Sequence, residues 1–444
     1  MALGNTASDV LAMARERKVR FVELQLIDIL GSQKTVSIPI TQLEKALNNE
    51  IAFDGSSIEG FVRINESDML LYPDLDTFVV YPWLNGHQTT ARLLCDVYNP
   101  DGEPFLGDPR GVLKRVVANA AKEGFQLFAG TEAEFFLFEQ GPNGGPSVNT
   151  FDQGGYFDMA PIDRGEEARR DMVVTLEEMG FSIEAAHHEN AHGQHEIDFK
   201  YAGAVETADN IATLKTVVRL VARRHGLHAT FMPKPKWGEA GSGMHIHQSV
   251  FRNGENCFYD ETQPDGLSTA IESYIAGIIA HASAMTAITN PLVNSYKRLV
   301  PGHEAPVYVA WSKRNRSPLI RIPSRRGIGT RMELRSPDSA CNPYLALAVS
   351  MSAGLDGMKQ GLTPPAPISD NIYELNEEQR ISRNIMSLPG NLGEALQVFQ
   401  QDELIRKTLG EHVFNRFLAA KKQEWDLYSQ QVHEWELQRY LWVF

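Results

Sequence analysis

Four stretches place acidic, histidine and arginine side chains two residues apart. GTEAEFFLF, from Gly130 to Phe138, holds Glu132 and Glu134. His195-Glu196-Ile197-Asp198 follows Glu189. Met244-His245-Ile246-His247 carries two histidines, and Arg331-Met332-Glu333-Leu334-Arg335 sets a glutamate between arginines. On a strand, side chains two apart share a face. Glu132 and Glu134 would then stand side by side, with Phe136 and Phe138 next on that face. Paired like charges leading into an apolar row are unfavourable unless something positive neutralises them. Any one of these strands is explained as well by an amphipathic strand with a wet face. All four together are not, because a wet face carries Lys, Thr and Ser freely and these carry mainly Glu, His and Arg. Glu132, Glu134, Glu189, Glu196 and Glu333 with His245 supply about three protein ligands to each of two cations, and oxygen donors with one imidazole suit magnesium or manganese rather than structural zinc. Positions remain for water and phosphate oxygens. His187, His188, His225 and His228 receive no assignment.

A second cluster is cationic. Residues 294–337 hold Lys297, Arg298, Arg314, Arg316, Arg321, Arg325, Arg326, Arg331 and Arg335, in a chain whose formal net charge is −14. Arginine suits bidentate binding of carboxylate and phosphate. Arginines beside metal-binding glutamates point to phosphoryl transfer. No GxxxxGK[ST] loop is present, and neither are the HRD and DFG of protein kinases. The acidic balance argues against broad contact with nucleic acid or anionic membrane.

These groups need elements to position them. Residues 19–40 read as a hairpin turning at Leu30-Gly31-Ser32, and residues 77–82 and 91–97 as further strands. Ser8 or Asp9 reads as the cap of a short first helix. The stretch 98–110, YNPDGEPFLGDPR, is rich in Pro, Gly and Asp and marks a boundary, giving domains 1–104 and 105–444. Beyond it come a helix ending at Gly124, the Glu132 strand, a helix capped at Gly180, the Glu196 strand and a long helix. HATFMPKP, GMHIHQSVF and LIRIP read as strands, and residues 339–362 and 391–428 as mainly helical. Without strict βαβ alternation the class is α+β, with an antiparallel sheet or barrel in the larger domain. Cys95, Cys257 and Cys341 are odd in number and far apart, as expected of reduced thiols in a cytoplasmic protein. The N-terminus lacks the apolar core of a signal peptide, and no window of about 18 apolar residues is expected.

FDGSSIEGF at 53–61, with ESD at 66–68, resembles the N-terminal signature of bacterial type I glutamine synthetases. KPKWGEAGSGMHIHQS resembles their nucleotide-site signature. EAEFFLF, HHENAHGQHEIDF, NSYKRLVPGHEAP, NRSPLIRIP and RMELRSPD resemble their catalytic blocks. The match spans almost the whole chain, and the length resembles the α subtype of Gram-positive bacteria. The resemblance implies a β-grasp-like N-terminal domain, a larger catalytic domain and a cytoplasmic dodecamer of two stacked hexameric rings, with active sites between subunits. It implies ATP-dependent ligation of ammonia to glutamate through a γ-glutamyl phosphate, with two or three Mg2+ or Mn2+ ions per site. By resemblance, Glu134, Glu189 and Glu196 hold one ion, and Glu132, His245 and Glu333 another. Arg298, Arg335 and the backbone near Gly241 bind glutamate, with Arg316 and Arg321 on phosphate. Glu184, His247, Ser249 and Arg331 contact nucleotide. Asp54 crosses the subunit interface to the ammonium, Glu304 belongs to a closing flap, and Arg63 senses glutamine in feedback inhibition. The subtype also implies contact with nitrogen-control transcription regulators.

Some details depart from the pattern. Ala240 stands where many members have Asn, and Lys236 where an apolar residue is usual. Tyr373 lies near the position adenylylated in the longer subtype, in different surroundings, and modification is not expected. The apolar C-terminus HEWELQRYLWVF reads as docking on another subunit. A ligase for an organic amine, or a non-catalytic protein on this scaffold, stays open; Asp54 and Glu304 favour a small cation, and no metal ligand is missing.

Overall fold

The computed structural model describes residues 4–61, 68–301 and 305–444. Arg63 and Glu304, with Glu66 and Ser67 of the ESD stretch, lie outside them. The N-terminal unit is a six-stranded sheet ordered Gln33–Pro39, Phe21–Ile27, Thr90–Tyr98, Asp68–Pro73, Ile51–Asp54, with Val79–Val80 also on Thr90–Tyr98. Phe21–Ile27 and Thr90–Tyr98 run parallel, with Leu24 opposite Leu93, and the first forms the expected hairpin with Gln33–Pro39. Val22, Leu24, Met69, Leu71, Leu93 and Val97 fill a separate small core.

The larger unit holds a ten-stranded sheet and a separate pair, Tyr308–Val309 with Met386–Ser387. The main order of the sheet is Trp311–Ser312, Ile320–Arg321, Met332–Leu334, Met244–Arg252, Phe125–Glu139, Gln194–Phe199, Ile183–His188. All these pairs are antiparallel except the first. Phe125–Glu139 is the central strand, and its alternate residues Ala133, Phe135 and Leu137 join a core shared with the helices. Those helices include Pro109–Lys122, Glu166–Glu178, Ala204–Arg224, Thr269–Thr289 and Pro343–Gln360.

Four local expectations are corrected. The first helix, Ala7–Glu16, is capped by Thr6 rather than Ser8 or Asp9. Thr6 has the extended backbone a cap needs, its Oγ1 accepts Asp9 N–H (3.2 Å), and its own N–H donates to Asp9 (2.8 Å). The chain over 77–82 forms only the short strand Val79–Val80, after a 3-10 turn at Leu75–Thr77. HATFMPKP is a strand only over Leu227–Thr230, since Pro233 and Pro235 cannot donate to a ladder. An apolar window does exist: Thr269–Thr289 reaches a mean hydropathy of 1.3 over 18 residues. It is a core helix packed on Pro343–Gln360, with Tyr274, Ile275, Ile278 and Ile288 buried, and a helix buried over most of its surface is apolar over most of it.

Arg110 joins the two units. It donates Nη1 to Asp96 (2.7 Å), Nη2 to Asp74 (2.7 Å), and Nε and Nη2 to Asp209 (3.0 and 2.9 Å). Asp209 also accepts the Tyr344 hydroxyl at 2.6 Å. Removing the guanidinium leaves buried Asp209 with only the Tyr344 hydroxyl, while Asp74 and Asp96 keep Lys114 as their cationic partner. Arg110→Met is therefore expected to lose about 3 kcal/mol or more, read as a lower urea midpoint, with Arg110→Lys recovering only part because an ammonium lacks the fork. A loss below about 1 kcal/mol would mean the pairs behave as surface ion pairs.

Candidate active site

Strand register assembles the site. His245 lies opposite Glu132, Glu132 opposite Asp198, Glu134 opposite Glu196, Glu196 opposite His187, and His247 opposite Glu333. Directly opposed residues share a sheet face, so side chains from five strands converge on one side. His247 Nε2 donates to Glu132 (2.6 Å), and His245 Nδ1 to the other oxygen of Glu132 (3.1 Å). His245 Nδ1 also lies 3.7 Å from Glu333, and its Nε2 lies 3.9 Å from Glu134. His187 stands between Glu196 (3.2 Å) and Glu189 (3.5 Å).

This face floors a cavity of about 820 Å³, lined by Glu132, Glu134, Glu189, Glu196, Asp198 and His245 on one side. Gly241, Arg298, Arg316, Arg321 and Arg335 line the other. A second cavity of about 280 Å³ shares Glu132 and Asp198 with it and is lined by Glu184, His247, Ser249 and Arg331. Among the described residues, the expected metal ligands other than Glu333 meet the glutamate-binding set in one cavity, Glu333 lies fully buried and lines neither, and Glu184, His247, Ser249 and Arg331 meet in the neighbouring cavity.

The electrostatics are those of a cation site. Burial pushes the Glu134 carboxyl up to about 7, against the pull of Arg298. Burial and then Glu132 push Asp198 up to about 8. Burial followed by Asp198 and Glu134 raises Glu196 well above the usual range. Glu132 stays low despite burial because both histidines donate to it, and Glu333 stays low despite burial because Arg335 faces it. Carboxylates gathered more closely than their own charges favour, beside an imidazole, fit a hard divalent cation.

The raised carboxyls set a pH dependence for protein stripped of metal by a chelator. Each binds its proton more tightly folded than unfolded, so its contribution is complete while it is protonated. That contribution falls as pH rises from the unfolded value, 4.5 for Glu134 and 3.8 for Asp198, through about 7 and about 8. Thermal unfolding of metal-stripped protein should occur at progressively lower temperature from pH 5 to pH 8. Added Mg2+ should restore more at pH 8, where fewer protons compete. A metal response equal at both pH values counts against the cluster as the cation site.

At the opposite wall, Arg298 is buried and fixed by carbonyls, Nη1 on Ser336 O (2.7 Å) and Nη2 on Arg335 O (3.2 Å). Arg335 Nη1 donates to Glu333 at 2.5 Å, and Arg321 Nε donates to the other oxygen of Glu333. Glu333 therefore orients both cations. Arg331 Nε donates to His247 Nδ1 (3.2 Å), which leaves the proton of that ring on Nε2, toward Glu132.

Asp54 lies apart, exposed at the end of Ile51–Asp54 and lining neither cavity of its own chain. Its Oδ1 accepts both the Ser56 N–H (2.8 Å) and the Ser56 hydroxyl (2.6 Å), as in an Asx turn. Asp198 and His187 were not assigned from sequence, although both carry the signal, two residues beyond Glu196 and two before Glu189. Lys236 gains an explanation: it pairs with Glu239, which also accepts the His192 N–H (3.1 Å), tying the glycine loop to the Glu189 turn. Ala240 packs against the Phe136–Phe138–Ala191 cluster. The Tyr373 hydroxyl donates to Ala305 O at 2.7 Å.

Converging carboxylates facing arginines, on an antiparallel sheet joined to a small N-terminal sheet, define a metal-dependent phosphoryl-transfer enzyme. Residues 18–100 match the family "Glutamine synthetase, beta-Grasp domain", and residues 106–440 match "Glutamine synthetase, catalytic domain". The chain is 58% identical over 443 residues to the glutamine synthetase of Thermus thermophilus, covering 99% of both chains. It is 56% identical to that of Clostridium saccharobutylicum and 55% identical to that of Staphylococcus aureus, covering 98% of each. A solved structure described as a GmaS/ADP complex superposes with a TM-score of 0.89 at 33% identity, over 98% of this chain and 99% of that one. The chain belongs to the glutamine synthetase family. It is a ligase that makes glutamine from glutamate and ammonia, using ATP and divalent metal ions; members of the family are generally oligomeric.

Proposed function

We propose that the site residues divide the reaction as follows. Glu134, Glu189 and Glu196 hold one divalent cation, and Glu132, His245 and Glu333 hold another. When bound, these cations neutralise the phosphate oxygens of ATP and the charge that develops on the transferred group. Arg298 and Arg335, beside Gly241, hold the carboxylates of glutamate. Glu184, His247, Ser249 and Arg331 hold the nucleotide, and Arg316 and Arg321 face the phosphoryl group.

A free carboxylate is a poor acyl donor because its oxygen leaves badly. A side-chain oxygen of glutamate attacks the γ-phosphorus, the bond to the ADP oxygen breaks, and γ-glutamyl phosphate forms. Ammonia nitrogen then bonds to the acyl carbon and phosphate departs. Asp54 of a neighbouring copy and Glu304 attract ammonium, Asp54 takes its proton, and closure over the site excludes the water that would hydrolyse the acyl phosphate. The observation that carries this reading is the register, which brings four separate sequence motifs to one cavity.

The assembly is a dodecamer of two hexameric rings in the cytoplasm, with the domain boundary at 104/105 and with Arg63 reporting glutamine in feedback inhibition. Supporting the ring contact is an exposed apolar C-terminus, where Trp442 and Phe444 are 93% and 99% exposed. Nitrogen-control transcription regulators are its further partners. Purified protein with glutamate, ATP, ammonium and Mg2+ or Mn2+ is expected to release glutamine and phosphate. Strong preference for putrescine over ammonium would move the substrate assignment to an organic amine.

A further inference from the structure

Behind the strand Ile183–His188 that leads into Glu189, and the strand that carries Glu196, lies a second, closed group of ionisable side chains. His188 and His195 are 0% exposed, and Asp152, Asp163 and Arg169 are also buried. Alternation sends His195 to the back of the sheet when Glu196 faces the cavity. His188 pairs with His195 in register, and their rings meet edge to face at 4.8 Å. One ligating atom from each of Asp152, Asp163, His188 and His195 lies within 4.8 Å of the others, which resembles a metal centre.

The hydrogen bonds exclude that role. His188 directs Nδ1 to the Glu189 carbonyl (2.6 Å) and Nε2 to Asp152 (3.3 Å). Both partners only accept, so both nitrogens carry protons and neither can ligate. Burial alone would lower this imidazole, but the Asp152 and Glu189 carbonyl bonds raise it on balance. Arg169 Nη1 lies 2.8 Å from His195 Nδ1. A guanidinium only donates, so His195 accepts there and keeps its one proton on Nε2. Arg169 Nη2 pairs with Asp163 at 2.7 Å. Two carboxylates, a guanidinium and an imidazolium thus balance, and arginine already supplies the cation. The fit leaves no slack: a Cβ on Gly154 would stand 2.7 Å from His188 Nε2, and one on Gly165 would stand 2.5 Å from His195 Nε2.

Asp152 does more than pair with a histidine. Its Oδ1 accepts the Gly193 N–H at 2.8 Å, so one carboxylate grips both ends of the turn from Glu189 to Gln194, at His188 and at Gly193. Gln194 closes that turn, its backbone N–H on Ala191 O (2.9 Å) and its side chain on Glu134 (2.8 Å). We propose that Asp152 is a positioning residue of the cation site, fixing through His188 and Gly193 the backbone that presents Glu189. This rests on the assignment of Glu189 as a cation ligand.

Full-length protein titrated with Mn2+ alone and followed by electron paramagnetic resonance tests both ideas separately. Asp152→Asn is expected to weaken one class of manganese site by about 10- to 100-fold and leave the other class unchanged. Glu189→Gln should weaken the same class, and the double variant should be no worse than Glu189→Gln alone. Manganese binding like the wild type in Asp152→Asn, or equal weakening of both classes, overturns the proposal and leaves a purely structural cluster. Glu189→Gln with both classes intact instead overturns the ligand assignment. If Asp152→Asn does not fold, His188→Asn keeps a donor for the Glu189 carbonyl and loses the Asp152 link, and the same readings decide.

Discussion

Asp54→Ala is expected to lower kcat/KM for ammonium by roughly 100- to 1000-fold, with the KM values for ATP and glutamate close to those of the wild type. The argument begins with two hydrogen bonds. The Ser56 hydroxyl and then its N–H hold the Asp54 carboxyl below the usual carboxylate range, so it is ionised wherever the enzyme works. A charged carboxylate attracts ammonium but is a weak base. Ammonium must lose a proton before its nitrogen has a lone pair to attack, so the uphill transfer to this weak base is drawn forward as the released ammonia is captured by the acyl carbon. In its own chain Asp54 lines neither cavity, and in the proposed assembly it serves the site of another copy. Co-assembling Asp54→Ala subunits with subunits defective in the cavity should therefore restore part of the activity. Steady-state kinetics on both samples checks this, and an unchanged ammonium dependence in Asp54→Ala would remove it from the reaction.

The second large effect is expected at Glu333. Its side chain is fully buried between Arg321 and Arg335, with His245 Nδ1 at 3.7 Å. Glu333→Gln keeps the shape and removes the charge. Two arginines then lose their carboxylate and one cation loses a ligand. The kcat should fall by roughly 1000-fold, and stability by about 3 kcal/mol from the uncompensated charges. Inorganic phosphate, by supplying an anion to those arginines, should recover part of the stability and none of the rate. Kinetics and thermal unfolding with and without phosphate separate the two effects. A variant that loses rate without losing stability would show that Glu333 does not hold the arginines in place.

The parts of this site carried by strand periodicity were legible in the sequence. Glu132, Glu134, Glu196, His245 and Glu333 repeat at two residues within apolar surroundings, and that spacing has one geometric meaning on a sheet. The long helices were legible for a similar reason, with Gly124 and Gly180 ending them in left-handed conformations. What escaped depends on contacts between distant segments. Asp198 and His187 had the right spacing, but only the register against Glu132 and Glu196 reveals which face they share. Lys236 makes sense only with Glu239 and His192 in place. Asp152 and Asp163 come from irregular chain, where no period announces a partner. The apolar window at Thr269–Thr289 was missed because its alanines and threonines dilute the signal along a helix that is nevertheless mostly buried.

The central claim is that distant carboxylates converge on a pair of divalent cations opposite the arginines. Crystals grown with Mn2+ and a non-hydrolysable ATP analogue, measured at the manganese absorption edge, test it most directly. The account predicts two anomalous peaks per site, one ligated by Glu134, Glu189 and Glu196 and the other by Glu132, His245 and Glu333. Nucleotide density without manganese among those side chains would contradict it.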